Sequence, residues 1–186
     1  MGLKEKIRFW KLKSKAEKGD AEAQYQLAKC YDEGNGTKKD LYKAFDWFEK
    51  AANNGHLGSR CAVGMCYEYG DGVQKNPSKA FMHYSIAAED RSGKGKFYLA
   101  SCYFSGIGTS INLPRAFKLF VKAAELGFED ADKFLNAVYQ RTNIAGDLFH
   151  GKPLPSNPRE ALILLANAAE QGDDYAQRIL DLIKVS

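Results

Sequence analysis

Four sets of residues in this chain have types that do chemistry: a glycine pair beside lysines, four cysteines, three histidines and a few clustered carboxylates. In EGNGTKKD, Glu33 to Asp40, Gly34 and Gly36 flank one residue, and Lys38 and Lys39 follow. Gly-x-Gly followed by Lys offers backbone N–H groups and a cation to a phosphate, whereas Asn-Gly is also a strong turn dipeptide. Cys30, Cys61, Cys66 and Cys102 supply thiols, but their spacing fits neither a zinc site nor a Cys-x-x-Cys redox pair. His56, His83 and His150 have no neighbour at a ligand spacing or with a partner for proton transfer. Asp32, Glu33 and Glu68 are the only carboxylates placed to suggest a glycosidic acid–base pair, and their spacing is that of an ordinary surface.

The glycine stretch is decided by its recurrence. It returns as YGDGVQKN and SGIGTSIN, with pairs Gly34/Gly36, Gly70/Gly72 and Gly106/Gly108 at a step of 36 residues. Tyr31, Tyr67, Tyr103 and Tyr139 march in phase, as do Ala51-Ala52, Ala87-Ala88 and Ala123-Ala124. A period in this range marks a repeat array. After Tyr139 the phase slips by nine residues to Ala168-Ala169, which places an insertion at about 142–157, rich in Gly and Pro and read as a loop.

Within a unit, Ala23, Leu27, Cys30 and Tyr31 fall on one helical stripe, and Ala44, Trp47, Phe48, Ala51 and Ala52 on a second. Glycine ends the first helix because it takes the left-handed conformation cheaply. Asp40, Asn76 or Asn112 then starts the next. EGNGTKKD is therefore the turn of a two-helix repeat, and its lysines are solvated. Cys30, Cys66 and Cys102 share one repeat position with Val138, which predicts a small buried apolar slot and no metal.

The order Ala-x-x-x-Leu-Ala/Gly-x-x-Tyr, Gly-x-Gly, Ala-x-x-aromatic and Ala-Ala, then Gly, resembles the Sel-one-like repeats, relatives of the tetratricopeptide repeats. The likeness covers about residues 19–172. It implies an all-α fold: a right-handed α-α superhelix, or solenoid, that binds proteins and has no chemistry or cofactor of its own. The units are expected at 19–55, 56–91, 92–127 and 128–172, in one domain with cap helices at 1–18 and 173–186.

Function is expected on the second stripe of each first helix, which in related solenoids lines a concave groove. Read through the period, it carries Tyr25, Lys29, Met65, Tyr69, Phe97, Phe104 and Arg141, with Cys61 and Glu68 also on it. Aromatic and soft apolar side chains there predict a binding face for a partner protein or peptide. Phe149, beside Leu148 in the insertion, is expected to add a contact. The same resemblance suggests, as a more specific alternative, a bacterial immunity protein neutralising one toxin; a carbohydrate or peptidoglycan enzyme is the alternative of another class.

Composition agrees with a soluble, cytoplasmic protein: of 186 residues, 45% are hydrophobic and 27% charged, without an apolar run long enough to span a bilayer. The net charge of +4 is uneven, since residues 1–18 carry seven basic and two acidic side chains and the remainder 20 and 21. A basic tip on a neutral body argues against nucleic acid, which calls for a basic stripe over the fold. Leu3, Ile7 and Trp10 at helical spacing among those lysines have two readings. The favoured one packs them on the first unit; the other lays residues 1–18 on an anionic membrane.

Overall fold

The computed structural model describes residues 3–89, 92–141 and 148–185, the side chains of Arg141, Leu148 and Val185 lying outside the described set. The chain divides into two compact units, Met1–Asp90 and Arg91–Ser186. The first holds α1 (Leu3–Glu17), α2 (Ala21–Glu33), α3 (Leu41–Asn53), α4 (Leu57–Tyr69) and α5 (Pro77–Glu89). The second holds α6 (Gly93–Ser105), α7 (Leu113–Glu125), α8 (Glu129–Arg141), β1 (Leu148–Phe149), β2 (Lys152–Pro153), α9 (Pro158–Glu170) and α10 (Asp174–Val185). This is the all-α repeat architecture that the period predicts. The helices from α2 to α9 are each 13 residues long, and successive first helices begin 36 residues apart.

The three Gly-x-Gly turns are built the same way. Gly34, Gly70 and Gly106 are left-handed, with φ of 74°, 88° and 76°, and donate back to the carbonyls of Cys30, Cys66 and Cys102. Asp40, Asn76 and Asn112 then donate their backbone N–H to the carbonyls of Tyr31, Tyr67 and Tyr103, each at 2.8 Å. Their side chains cap the next helix by accepting from Lys43, Lys79 and Arg115 N–H groups. The second glycine of the pair has a different task. A Cβ on Gly36 would stand 2.7 Å from the Glu5 carbonyl oxygen, and one on Gly72 would stand 2.0 Å from that of Leu41. The turn is pressed onto the backbone of the preceding second helix, where only a glycine fits.

Residues of the predicted stripes are buried, Leu27, Ala44, Phe48 and Val63 in the first unit and Leu99, Phe120, Leu135 and Leu165 in the second. Phe45, Phe117 and Leu162, which the stripes did not include, are buried with them, and Trp47, which they did include, is half-buried. In the first unit the tyrosines form repeating joints. Tyr31 meets the edge of Phe9 at 5.5 Å, and Tyr67 meets Phe45 at 5.4 Å. Lys43 and Lys79 also meet these rings, 5.6 and 5.0 Å from their centres.

Helix α1 corrects an expectation. Its buried residues are Phe9 and Ala16, whereas Leu3, Ile7 and Trp10 are 75%, 47% and 62% exposed. The trio lies on one stripe, but that stripe faces away from α2. The inserted segment is, in its described part, a small antiparallel ladder pairing Leu148 with Pro153 and Phe149 with Lys152, followed by buried Leu154.

Candidate functional site

In the first unit the predicted face runs along α2 and α4. Tyr25 is half-buried, its ring stacked 4.3 Å from His56 and tilted against Phe48. His56 itself caps α4, accepting from the Ser59 N–H at Nδ1, while Nε2 lies 3.0 Å from Glu22. Lys29 pairs loosely with Glu33 at 3.7 Å and lines a cleft of about 190 Å³ shared with Glu5, Arg8 and Cys30. Met65 is half-buried, and Tyr69, one turn further on, is 63% exposed. The Glu68 carboxylate beside Tyr69, together with partial burial, pushes its phenol above the ordinary range, so the ring keeps its O–H. Glu68 also accepts a 2.8 Å hydrogen bond from the buried Tyr84 hydroxyl, which engages one of its oxygens inside the fold. Cys61, which the spacing places on this face, is fully buried.

In the second unit the stripe is more enclosed. Phe97 packs at 5.3 and 5.2 Å on Phe120 and Phe128, and Phe104 at 6.0 and 5.5 Å on Phe117 and Phe134. Both rings are half-buried, each presenting part of its surface. Arg141 closes α8, and its side chain is outside the described set. Phe149 lies in β1, half-buried and stacked 6.2 Å from Tyr175 of α10. Next to it, His150 pairs at 2.5 Å with Asp173, the residue that accepts from the Ala176 N–H at the start of α10.

The cysteine slot is graded: Cys102 and Cys66 are buried, Cys30 half-buried. Burial, with Asp71 and Asp32 nearby, pushes the Cys66 thiol up to about 12, far from the range of a reactive thiolate. Among the described residues no group of three or more His, Cys, Asp or Glu side chains could hold a metal ion. His83 stacks on Tyr67 at 5.6 Å, and its buried Nδ1 meets no hydrogen-bond partner among the described residues. Sequence spacing gave no hint of that environment, because Arg60 and Tyr67 reach it from another helix.

The Sel1 repeat pattern matches residues 21–56, 59–92, 94–128 and 143–173. The chain belongs to the Sel1 repeat family. The fourth match takes in the insertion and α9 and leaves out α8, which the structure nonetheless gives the length of its counterparts. Sel1 repeat proteins generally mediate protein–protein interaction and typically act as non-enzymatic scaffolds. A Sel1 repeat protein from Oxalobacter formigenes has a similar structure, with TM-score 0.69 and 24% identity over 92% of this chain and 59% of that one. So has c5321, described as a protective antigen of uropathogenic Escherichia coli displaying an SLR fold, with TM-score 0.67, 30% identity, and coverage of 90% and 34%. The secretory immunoglobulin A-binding protein EsiB of Escherichia coli O6:H1 is 49% identical over 45 residues, which is 24% of this chain and 9% of that protein. The chain thus spans less than two thirds of each of these relatives. Among the described residues no helix is long and apolar enough to cross a membrane.

Proposed function

We propose that the chain is a non-enzymatic interaction module that holds a partner protein or peptide against its first helices, with Met65 and Tyr69 of α4 as the principal contact. The observation that carries this reading is Tyr69, an aromatic ring 63% exposed where a merely solvated helix end needs only a polar residue. A tyrosine offers a large contact area with few rotatable bonds and keeps a hydroxyl for a directional hydrogen bond. Within the first unit Tyr25 and Lys29 extend the proposed contact; in the second unit Phe97, Phe104, Arg141 and Phe149 are proposed as contacts of their own. Their rings, where half-buried and packed, are already ordered, so engaging them costs little conformational entropy. The Escherichia coli relative is named for binding an immunoglobulin, which makes a folded protein, rather than only an extended peptide, the first class of partner to test.

The experiment is affinity capture from a native lysate of the source cells with three proteins: the parent, Tyr69→Glu, and Tyr42→Ser. Tyr42, on a second helix, is 75% exposed and serves as the surface control. Partners held by the parent and by Tyr42→Ser and lost with Tyr69→Glu support the face. Partners indifferent to Tyr69 but lost with Tyr42→Ser would move the contact to the second helices. One stoichiometric partner fits dedicated neutralisation of a single protein; several sub-stoichiometric ones fit a scaffold.

A further inference from the structure

Helix α1 carries a surface that its packing does not use. Leu3, Ile7 and Trp10 lie within about 60° of one another around a helix of 3.6 residues per turn, and all three are exposed. Lysines border the stripe on both sides: Lys6 and Lys13 along one edge, Lys4, Lys11 and Lys15 along the other. Lys13 sits over the Trp10 ring at 5.0 Å. The two acidic residues are taken out of this pattern. Glu5 lines the cleft shared with Lys29, and Glu17 is 3.9 Å from Lys13.

The repeat register says what this stripe is not for. One period on, Leu3, Ile7 and Trp10 correspond to Lys39, Lys43 and Asp46, all exposed on or beside α3. A helix flanked by neighbours on both sides therefore leaves these positions in solvent, so stacking of another repeat would not cover them. The positions that stacking does cover, those of Ala44 and Ala51, are Arg8 and Lys15 on α1, both exposed. The apolar trio is thus an outward feature of the molecule, not unfinished core.

We propose that α1 lies on the surface of an anionic phospholipid bilayer, with Leu3, Ile7 and Trp10 entering the headgroup boundary and the flanking lysines neutralising lipid phosphates and carboxylates. Charge complementarity carries the choice of occupant. An apolar centre bordered by cations on both edges matches a lipid interface, where acyl chains meet the stripe and anionic headgroups meet its rims. Tryptophan favours that depth because its ring is apolar and its indole N–H remains within reach of headgroup acceptors. Nucleic acid would use the lysines and leave the trio in water. This inference concerns a different surface from the α4 contact and stands or falls separately from it.

The test is vesicle co-sedimentation of the full chain, tagged at its C-terminus, with phosphatidylcholine alone and with added phosphatidylserine, at low and high salt. The parent is expected to bind only the phosphatidylserine vesicles, and less at high salt. The Lys4→Gln/Lys11→Gln/Lys15→Gln variant should bind on the order of a hundred-fold more weakly, about five-fold per lysine. Leu3→Ser/Ile7→Ser/Trp10→Ser should lose binding while keeping its circular dichroism, since these side chains are exposed. In a Trp47→Phe background the remaining Trp10 fluorescence should shift to the blue on adding the anionic vesicles, a readout that needs no change in α1. A parent that ignores the anionic vesicles, or a serine variant that still binds them, overturns the proposal. If the parent instead self-associates in the ultracentrifuge and the serine variant does not, the stripe belongs to a second copy and the membrane assignment is wrong.

Discussion

Gly72→Ala and Gly55→Ala share a left-handed backbone but differ in what the new Cβ meets, and the difference measures how tightly the turn is pressed onto its neighbour. Both glycines belong to the first unit, and both have positive φ, 69° and 84°. A left-handed alanine costs about 1–2 kcal/mol at either place. At Gly55 nothing lies within 4 Å of the added Cβ, so that is the whole cost. At Gly72 the Cβ would lie 2.0 Å from the Leu41 carbonyl oxygen and 2.4 Å from its carbon. Those are backbone atoms at the start of α3 and cannot rotate away, so the turn must lift, adding about 1–3 kcal/mol as overpacking does. With roughly 2–4 °C of melting temperature per kcal/mol for a chain of this size, Gly55→Ala should lose about 5 °C and Gly72→Ala about 10 °C. Thermal melts followed by far-UV circular dichroism decide it. Equal losses would show that the second glycine is needed for its backbone angle alone and that the close approach carries no energy.

Three further outcomes follow from packing and charge. Phe104→Ala removes a half-buried ring from contact with Phe117 and Phe134, and should cost about 2 kcal/mol in urea unfolding, whereas Tyr69→Ala should stay within about 0.5 kcal/mol. A large loss at Tyr69 would mean its ring is structural and would weaken its role as a contact. Burial, aided by Arg60 and Lys79, holds the His83 ring below its ordinary 6.5 in the fold, so the unfolded chain takes up the proton first. Stability is then intact above that pH and falls as pH drops through 6.5 toward the folded value; His83→Phe should lessen the loss of urea midpoint between neutral and mildly acidic buffer, and an unchanged loss would refute the assignment. In a thiol-labelling time course at pH 8, Cys30 should react before Cys66, which labels only as the chain unfolds; simultaneous labelling of the folded protein would contradict the depth of the slot.

The helices were legible because the period carries its own boundaries. A glycine that must be left-handed and an Asp or Asn that must cap recur at fixed offsets, and the first helices start where those offsets put them. Burial was less legible. Leu3, Ile7 and Trp10 satisfy helical spacing, but spacing gives a stripe without saying which way it points. Phe9 is the residue that packs, and the period contained the signal, since Phe9 stands one repeat before buried Phe45. The same ambiguity affects the proposed contact face. Cys61 shares the stripe of Tyr25 and Met65 yet is fully buried, and Phe97 and Phe104 are partly spent on neighbouring rings, because one stripe grades continuously from core to solvent. The environment of His83 was invisible for another reason: it is assembled from residues on two helices that no local pattern links.

The tyrosine joints of the first unit have a consequence for how such a chain can change length. Tyr31 takes its aromatic neighbour, Phe9, from the helix before it and its cation, Lys43, from the helix after it; Tyr67 does the same with Phe45 and Lys79. Each repeat therefore brings its own tyrosine and cation and takes the second ring from the helix that precedes it. Duplication or loss of one whole period regenerates both joints, because ring and cation stand at the same offsets in each repeat. Growth by whole units is thus mechanically neutral at the seams, and irregular lengths are confined to the turns, where the nine extra residues before α9 are found.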